Sequence, residues 1–179
     1  MSVLQREAPA AAGRWRPRPS VRKSILLVHV AASVALLGEV WGLVVLNLTA
    51  TLTGDLGLAR AAYRLMGALV FAGGIPLSLT ALASGVALGL GSHWGLVRHT
   101  WVFAKLLLLL GVILCGMLLF TPEAMAEAMR APAHGGARPE GRQWGQVAVV
   151  STQLAMLLTA TGLSVFRPRG RLRWTRRRS

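Results

Sequence analysis

The stretch Ser24–Leu48, "SILLVHVAASVALLGEVWGLVVLNL", decides the fold class of this chain. A helix needs about 20 mainly apolar residues to cross the ~30 Å hydrocarbon core of a bilayer, and this run is longer than that. It nevertheless contains two ionisable residues, His29 and Glu39. The stretch therefore predicts a membrane-spanning helix, and it raises the question of what a histidine and a carboxylate do in lipid.

Three further apolar runs follow, at about residues 62–90, 100–120 and 144–166. Only 15% of all residues are charged, against about 25% in a typical soluble domain. Each run must form a helix, because lipid offers no partner for unpaired backbone groups. The sequence predicts an all-α fold, a four-helix transmembrane bundle over residues 24–166, with a basic N-terminal tail at 1–23 and a basic C-terminal tail at 167–179.

The basic residues lie mainly in the two tails. Before the first span come Arg6, Arg14, Arg16, Arg18, Arg22 and Lys23, and after the last come Arg167, Arg169, Arg171, Arg173, Arg176, Arg177 and Arg178. Short flanks rich in lysine and arginine stay cytoplasmic, so both termini are expected inside. We expect the tails to contact anionic lipid headgroups rather than nucleic acid, since each basic residue gains ~1 kcal/mol near such a surface.

The composition favours a bacterial inner (plasma) membrane. Of the 20 basic residues, only Lys23 and Lys105 are lysine, and alanine and glycine are abundant. That bias is typical of a high-GC bacterial genome. The chain is therefore expected to be a multi-pass protein of that membrane.

Depth along the helices predicts which polar residues of the spans can meet. At a rise of ~1.5 Å per residue, Glu39 lies about 22 Å above the inner end of its span and Lys105 only about 8 Å. We therefore expect Lys105 to extend toward the cytoplasmic face, and Glu39 to contact Arg64 near the outer face. Gln146 is expected to add a hydrogen bond there. A structural pair is the favoured interpretation, and a proton or cation site at Glu39 is the alternative.

His29 lies at the level of the inner turn, which also carries His99. Two imidazoles at one depth, on different helices, are what a bis-histidine haem requires, and copper could use the same ligands. Haem b and copper are thus the candidate cofactors, with His29 and His99 as ligands. A hydrogen-bonded packing role for His29 is the favoured alternative. In the second span Pro76 predicts a kink near Gly73-Gly74, because proline removes a backbone donor.

Two segments carry a resemblance to known proteins: "HVAASVALLGEVWG" at 29–42 and "RHTWVFAKLLLLLGV" at 98–112. Together with the four-span plan they resemble small bacterial integral membrane proteins of unknown function, and more distantly the copper-resistance D-type membrane domains. The resemblance rests on an early histidine in the first span and on an aromatic entry to the third span followed by Lys105. It implies a helical bundle in the inner membrane and points weakly to copper or haem.

Enzymatic signatures are absent from the sequence. There is no phosphate-binding glycine loop, zinc-protease motif or nucleophile elbow, and Cys115 is the only cysteine. The leading interpretation is a non-enzymatic accessory or scaffolding subunit that associates with itself or with another membrane protein. The alternatives are a haem- or copper-binding protein in electron transfer or metal handling, and a small oligomeric transporter or channel module.

Overall fold

The structure of this chain, a computed structural model, describes residues 18–91, 100–119 and 141–166, except for the side chains of Thr100 and Arg142. Every element in these ranges is helical: α1 (Pro19–Leu52), α2 (Leu56–Leu69), a π-helical segment (Val70–Gly74), α3 (Ile75–Leu90), α4 (Thr100–Leu119) and α5 (Gly141–Phe166). The π-helical segment joins α2 to α3 in one continuous second span, Leu56–Leu90. The predicted all-α fold with four long apolar helices is confirmed.

Two helices begin earlier than the apolar pattern predicts. Helix α1 begins at Pro19, within the predicted N-terminal tail, because a proline in the first turn has no backbone donor to lose. Helix α2 begins at Leu56 because the Asp55 carboxylate accepts hydrogen bonds from the amides of Gly57 (2.7 Å) and Leu58 (3.4 Å). This cap satisfies two free donors of the first turn.

The outer faces of the helices are apolar. In the most apolar 18-residue window of α4, only 6% of the residues are buried inside the molecule. Large side chains such as Leu27, Leu114 and Met117 are exposed on these faces. Soluble monomers rarely expose apolar patches this continuous. The four helices therefore have the length and the outward surface of membrane spans.

Helix α1 lies at the centre of the bundle. Its buried residues, which include Leu36, Val40, Leu43 and Ala50, recur at intervals of three and four and so form one helix face. The helix packs against α2, α3 and α5, while α4 packs mainly against α5. Polar side chains on this face of α1 are therefore enclosed by neighbouring helices.

The orientation of the bundle stays a prediction that labelling can test. In a Cys115→Ser background, single cysteines at Asp55 and His134 should react with a membrane-impermeant thiol reagent from outside the cell. Cysteines at Ser92 and Ser179 should react only after the membrane is opened, because the basic flanks hold these segments inside. Positions 92, 134 and 179 lie outside the described residues, so the experiment depends on the sequence alone. Labelling of Ser92 in intact cells would reverse the topology.

Candidate functional site

Glu39 lies inside the bundle, and its carboxylate has no side-chain partner among the described residues. Its side chain is 9% exposed, and neither oxygen has a side-chain hydrogen-bond partner in the part of the chain that the structure describes. The carboxylate packs on Gly73 and Gly74. A Cβ added at Gly74 would lie 2.6 Å from Oε1 and 3.0 Å from Oε2. Glycine at position 74 is therefore what allows the carboxylate to occupy this place.

The glycine pair belongs to the π-helical segment. There the amide of Ile75 donates to the carbonyl of Val70, five residues back, and Pro76 follows without an amide hydrogen. The missing donor leaves a carbonyl of the preceding turn without its usual helical partner. The irregularity in the second span lies where Pro76 predicted a kink, and it takes the form of a wider helical turn facing Glu39.

The predicted contact between Glu39 and Arg64 is wrong. Neither carboxylate oxygen has a partner, and the Arg64 side chain is exposed. The buried face of α2 consists of Ala59, Ala62, Tyr63 and Met66. Arg64 follows Tyr63 by one residue and is therefore rotated about 100° away from that face. The predicted hydrogen bond from Gln146 to Glu39 is absent for the same reason, since the carboxylate oxygens have no partner in the described ranges.

Three more buried side chains carry an oxygen without a partner. These atoms are Oδ1 of Asn47 and Oγ1 of Thr51, both on α1, and Oε1 of Gln153 on α5. Their side chains are 2%, 6% and 3% exposed. The Nε2 of Gln153 donates to the carbonyl of Val112 (2.9 Å) and so joins α5 to α4. The buried side-chain atoms without a partner in the described ranges are thus all oxygens.

Sequence reasoning missed Asn47, Thr51 and Gln153. The available signal was the spacing of Glu39, Leu43, Asn47 and Thr51, since residues four apart lie on the same face of a helix. All four are buried in the structure. Glu39 is therefore part of a polar stripe on the central helix rather than an isolated charge.

His29 connects α1 to α3 in the inner half of the bundle. Its Nδ1 lies 3.0 Å from the carbonyl oxygen of Ala81 and 3.1 Å from Oγ of Ser84. A carbonyl only accepts, so Nδ1 carries a hydrogen. Cε1 would be 3.1 Å from a Cβ at Gly85, which brings the ring close to the α3 backbone. The packing role predicted for His29 has these contacts as its structural basis.

The cofactor prediction rests on His29 together with His99, and His99 lies outside the described residues. With Nδ1 hydrogen-bonded, the Nε2 of a neutral His29 has a free lone pair, which is the usual state of a metal-bound imidazole. Among the residues that the structure describes, no group of three or more histidine, cysteine, aspartate or glutamate side chains is placed to hold a metal ion. Haem b or copper at this position stays a prediction.

Lys105 lies apart from Glu39. Its Nζ donates to Oγ of Ser164 (2.5 Å), and Ser164 belongs to the last turn of α5, which ends at Phe166. In the predicted topology this places the ammonium toward the inner end of the bundle, as expected for a lysine that extends to the interface. Among the described residues, neither Lys105 nor another side chain pairs with the Glu39 oxygens.

Comparison of the chain with protein-family models, curated proteins and solved structures found no match. The functional argument consequently rests on the geometry of the described residues.

Proposed function

We propose that this protein is a small transporter or channel module that moves a cation through the bundle, with the Glu39 carboxylate as the group that binds it. The single observation that carries this proposal is the buried carboxylate without a side-chain partner among the described residues. An ionised carboxylate in such surroundings costs several kcal/mol unless it is compensated. Glu39 is therefore expected to hold a proton or another cation when its side chain occupies this place.

The position of Glu39 in the bundle supports the proposal. Intramembrane ionisable residues usually mark ion pathways or proton relays. π-Helical turns recur at functional sites, and interrupted helices form the ion sites of many transporters. Here the carboxylate faces the π-helical segment of the second span. A residue serving only to hold two helices in register would be expected to pair with a side chain of the other helix, and Glu39 has no such partner in the described ranges.

The other functions predicted from sequence have weaker support. An accessory or scaffolding role explains the apolar outer faces, but lipid covers such faces equally well and the role assigns nothing to Glu39. Haem or copper binding rests on one hydrogen-bonded imidazole, His29. Both stay as alternatives that the following experiment distinguishes.

The proposal is tested by cation flux in proteoliposomes. Purified protein is reconstituted, and the fluxes of H⁺, Na⁺ and K⁺ are measured separately under an imposed potential. We expect the wild type to conduct at least one of them above protein-free vesicles. The Glu39→Gln variant should fall to the protein-free level, because a neutral amide neither takes up a proton nor balances a cation.

The matched control is Asp55→Asn, the same acid-to-amide change at the exposed cap of α2. Asparagine caps a helix about as well as aspartate, so both folding and flux should be retained. Wild-type protein that moves none of the three cations, or a Glu39→Gln variant with wild-type flux, would overturn the proposal. A Soret band in the same preparation would support the haem alternative.

A further inference from the structure

We infer that the transported cation is a proton, and that it passes along the buried face of α1 between His29 and Thr51 by way of Glu39. This inference rests on the proposed function and names its substrate and path. The four residues His29, Glu39, Asn47 and Thr51 are called the α1 polar line below. Three of them are buried and His29 is half-buried.

The α1 polar line has the length of a membrane. From His29 to Thr51 there are 22 residues, which at ~1.5 Å per residue is about 33 Å. The hydrocarbon core is ~30 Å thick. Glu39 lies about 15 Å from His29 and about 18 Å from Thr51 by the same rise. The only carboxylate in the described spans is therefore near the middle of a line that reaches both ends of the hydrocarbon core.

The same geometry does not favour a divalent metal cation. Ca²⁺ and Mg²⁺ take about six or more oxygen ligands at roughly 2.0–2.6 Å. Glu39 contributes two oxygens, while Asn47 is about 12 Å further along the helix and Thr51 about 18 Å. Neither side chain can join the carboxylate in one coordination sphere. On the Gly74 side, the carboxylate lies against the helix, since a Cβ at Gly74 would be within 3.0 Å of both oxygens.

A proton does not need several ligands in one coordination sphere. It requires groups that can accept and release a hydrogen, joined by short chains of water with ~2.8 Å between oxygens. Glu39 takes up a proton from one side as its carboxylate becomes the neutral acid, and it releases that proton to the other side. No bond other than O–H is made or broken at this residue.

Hydroxyl groups lie between the members of the α1 polar line. On the inner side, Ser84 contacts His29, and Ser78 is placed on α3 between Gly74, which contacts Glu39, and Ala81, which contacts His29. On the outer side, the unpartnered oxygens of Asn47 and Thr51 are open acceptors. Unpaired buried polar atoms are the usual partners of internal water. These oxygens therefore indicate where a water chain is held.

The identity of the cation is tested first, in the wild-type proteoliposomes already described. We expect Glu39-dependent flux of H⁺ and no Glu39-dependent flux of Na⁺ or K⁺. A hydrophobic carbodiimide, which modifies protonated carboxyl groups, should label Glu39 to the same extent with and without either metal ion. Glu39-dependent flux of Na⁺ or K⁺, or protection of Glu39 by either ion, would overturn the inference and leave the proposed function standing.

The path is tested by a matched pair of threonines on α1. Thr51 has an unpartnered buried hydroxyl, whereas Thr49 donates its hydroxyl to the carbonyl of Val45 (2.9 Å) on the same helix. We expect Thr51→Val to lower proton flux by roughly fivefold, which corresponds to about 1 kcal/mol for one lost hydrogen-bonding group. Thr49→Val should leave the flux unchanged.

The two tests separate the two proposals. Equal flux in Thr51→Val and wild-type protein, with Glu39→Gln still inactive, would remove Thr51 from the path and overturn the inferred route, while Glu39 would keep its role. Loss of flux in Thr49→Val to the same extent as in Thr51→Val would also overturn the route. Failure of the proposed function itself gives a different result, because the wild type then moves no cation.

Discussion

Replacing Gly74 by alanine is expected to abolish cation flux while changing the stability of the bundle little. The new Cβ would lie 2.6 Å from Oε1 of Glu39 and 3.1 Å from its Cδ, so the carboxylate has to leave its place against the π-helical segment. The atoms that must move are the end of a flexible side chain, so the displacement itself costs little, and removing glycine from a helix returns about 0.5–1 kcal/mol. Flux in proteoliposomes and unfolding by SDS in detergent micelles measure the two effects.

Gly73→Ala is the matched control for this prediction. A Cβ at Gly73 would lie 3.8 Å from Cδ and Cγ of Glu39, which is an ordinary van der Waals contact. The variant therefore removes a neighbouring glycine without displacing the carboxylate, and it should keep both flux and stability. Equal behaviour of the two alanine variants would mean that the close contact at Gly74 does not hold Glu39 in place.

Truncation of Met66 to alanine is expected to give a large loss of stability without acting on the ion path. Met66 is 1% exposed, and it and Val150 are the largest fully buried side chains among the described residues. Large-to-alanine changes at such positions cost about 2–5 kcal/mol because a cavity remains. In lipid this packing term matters especially, since little hydrophobic force holds helices together. The free energy of unfolding in SDS is the measurement.

Leu65→Ala provides the comparison on the same helix. Leu65 is 54% exposed on the outer face, so its truncation leaves no cavity inside the bundle. Its unfolding free energy should stay close to that of the wild type. A loss as large as that of Met66→Ala would show that the face of α2 carrying Leu65 is covered by protein, for example by a second copy of the chain.

The number and type of the spans could be predicted from sequence because lipid leaves few choices. Backbone groups in hydrocarbon must be paired within the segment, so four long apolar runs imply four helices. The irregularity in the second span was also predictable, because Pro76 has no amide hydrogen whatever surrounds it. These features depend on local chemistry alone.

The partners of the polar side chains depended on the tertiary structure. Depth placed Glu39 near Arg64, but one residue along a helix turns a side chain by about 100°, and Arg64 is on the exposed face of α2. The Asp55 cap also starts the second span at Leu56, earlier than the start near residue 62 that the apolar run predicts. An apolar run therefore specifies that a helix crosses the membrane. The rotation that brings Glu39 onto Gly74 and His29 onto Ala81 is set by the packing of neighbouring helices.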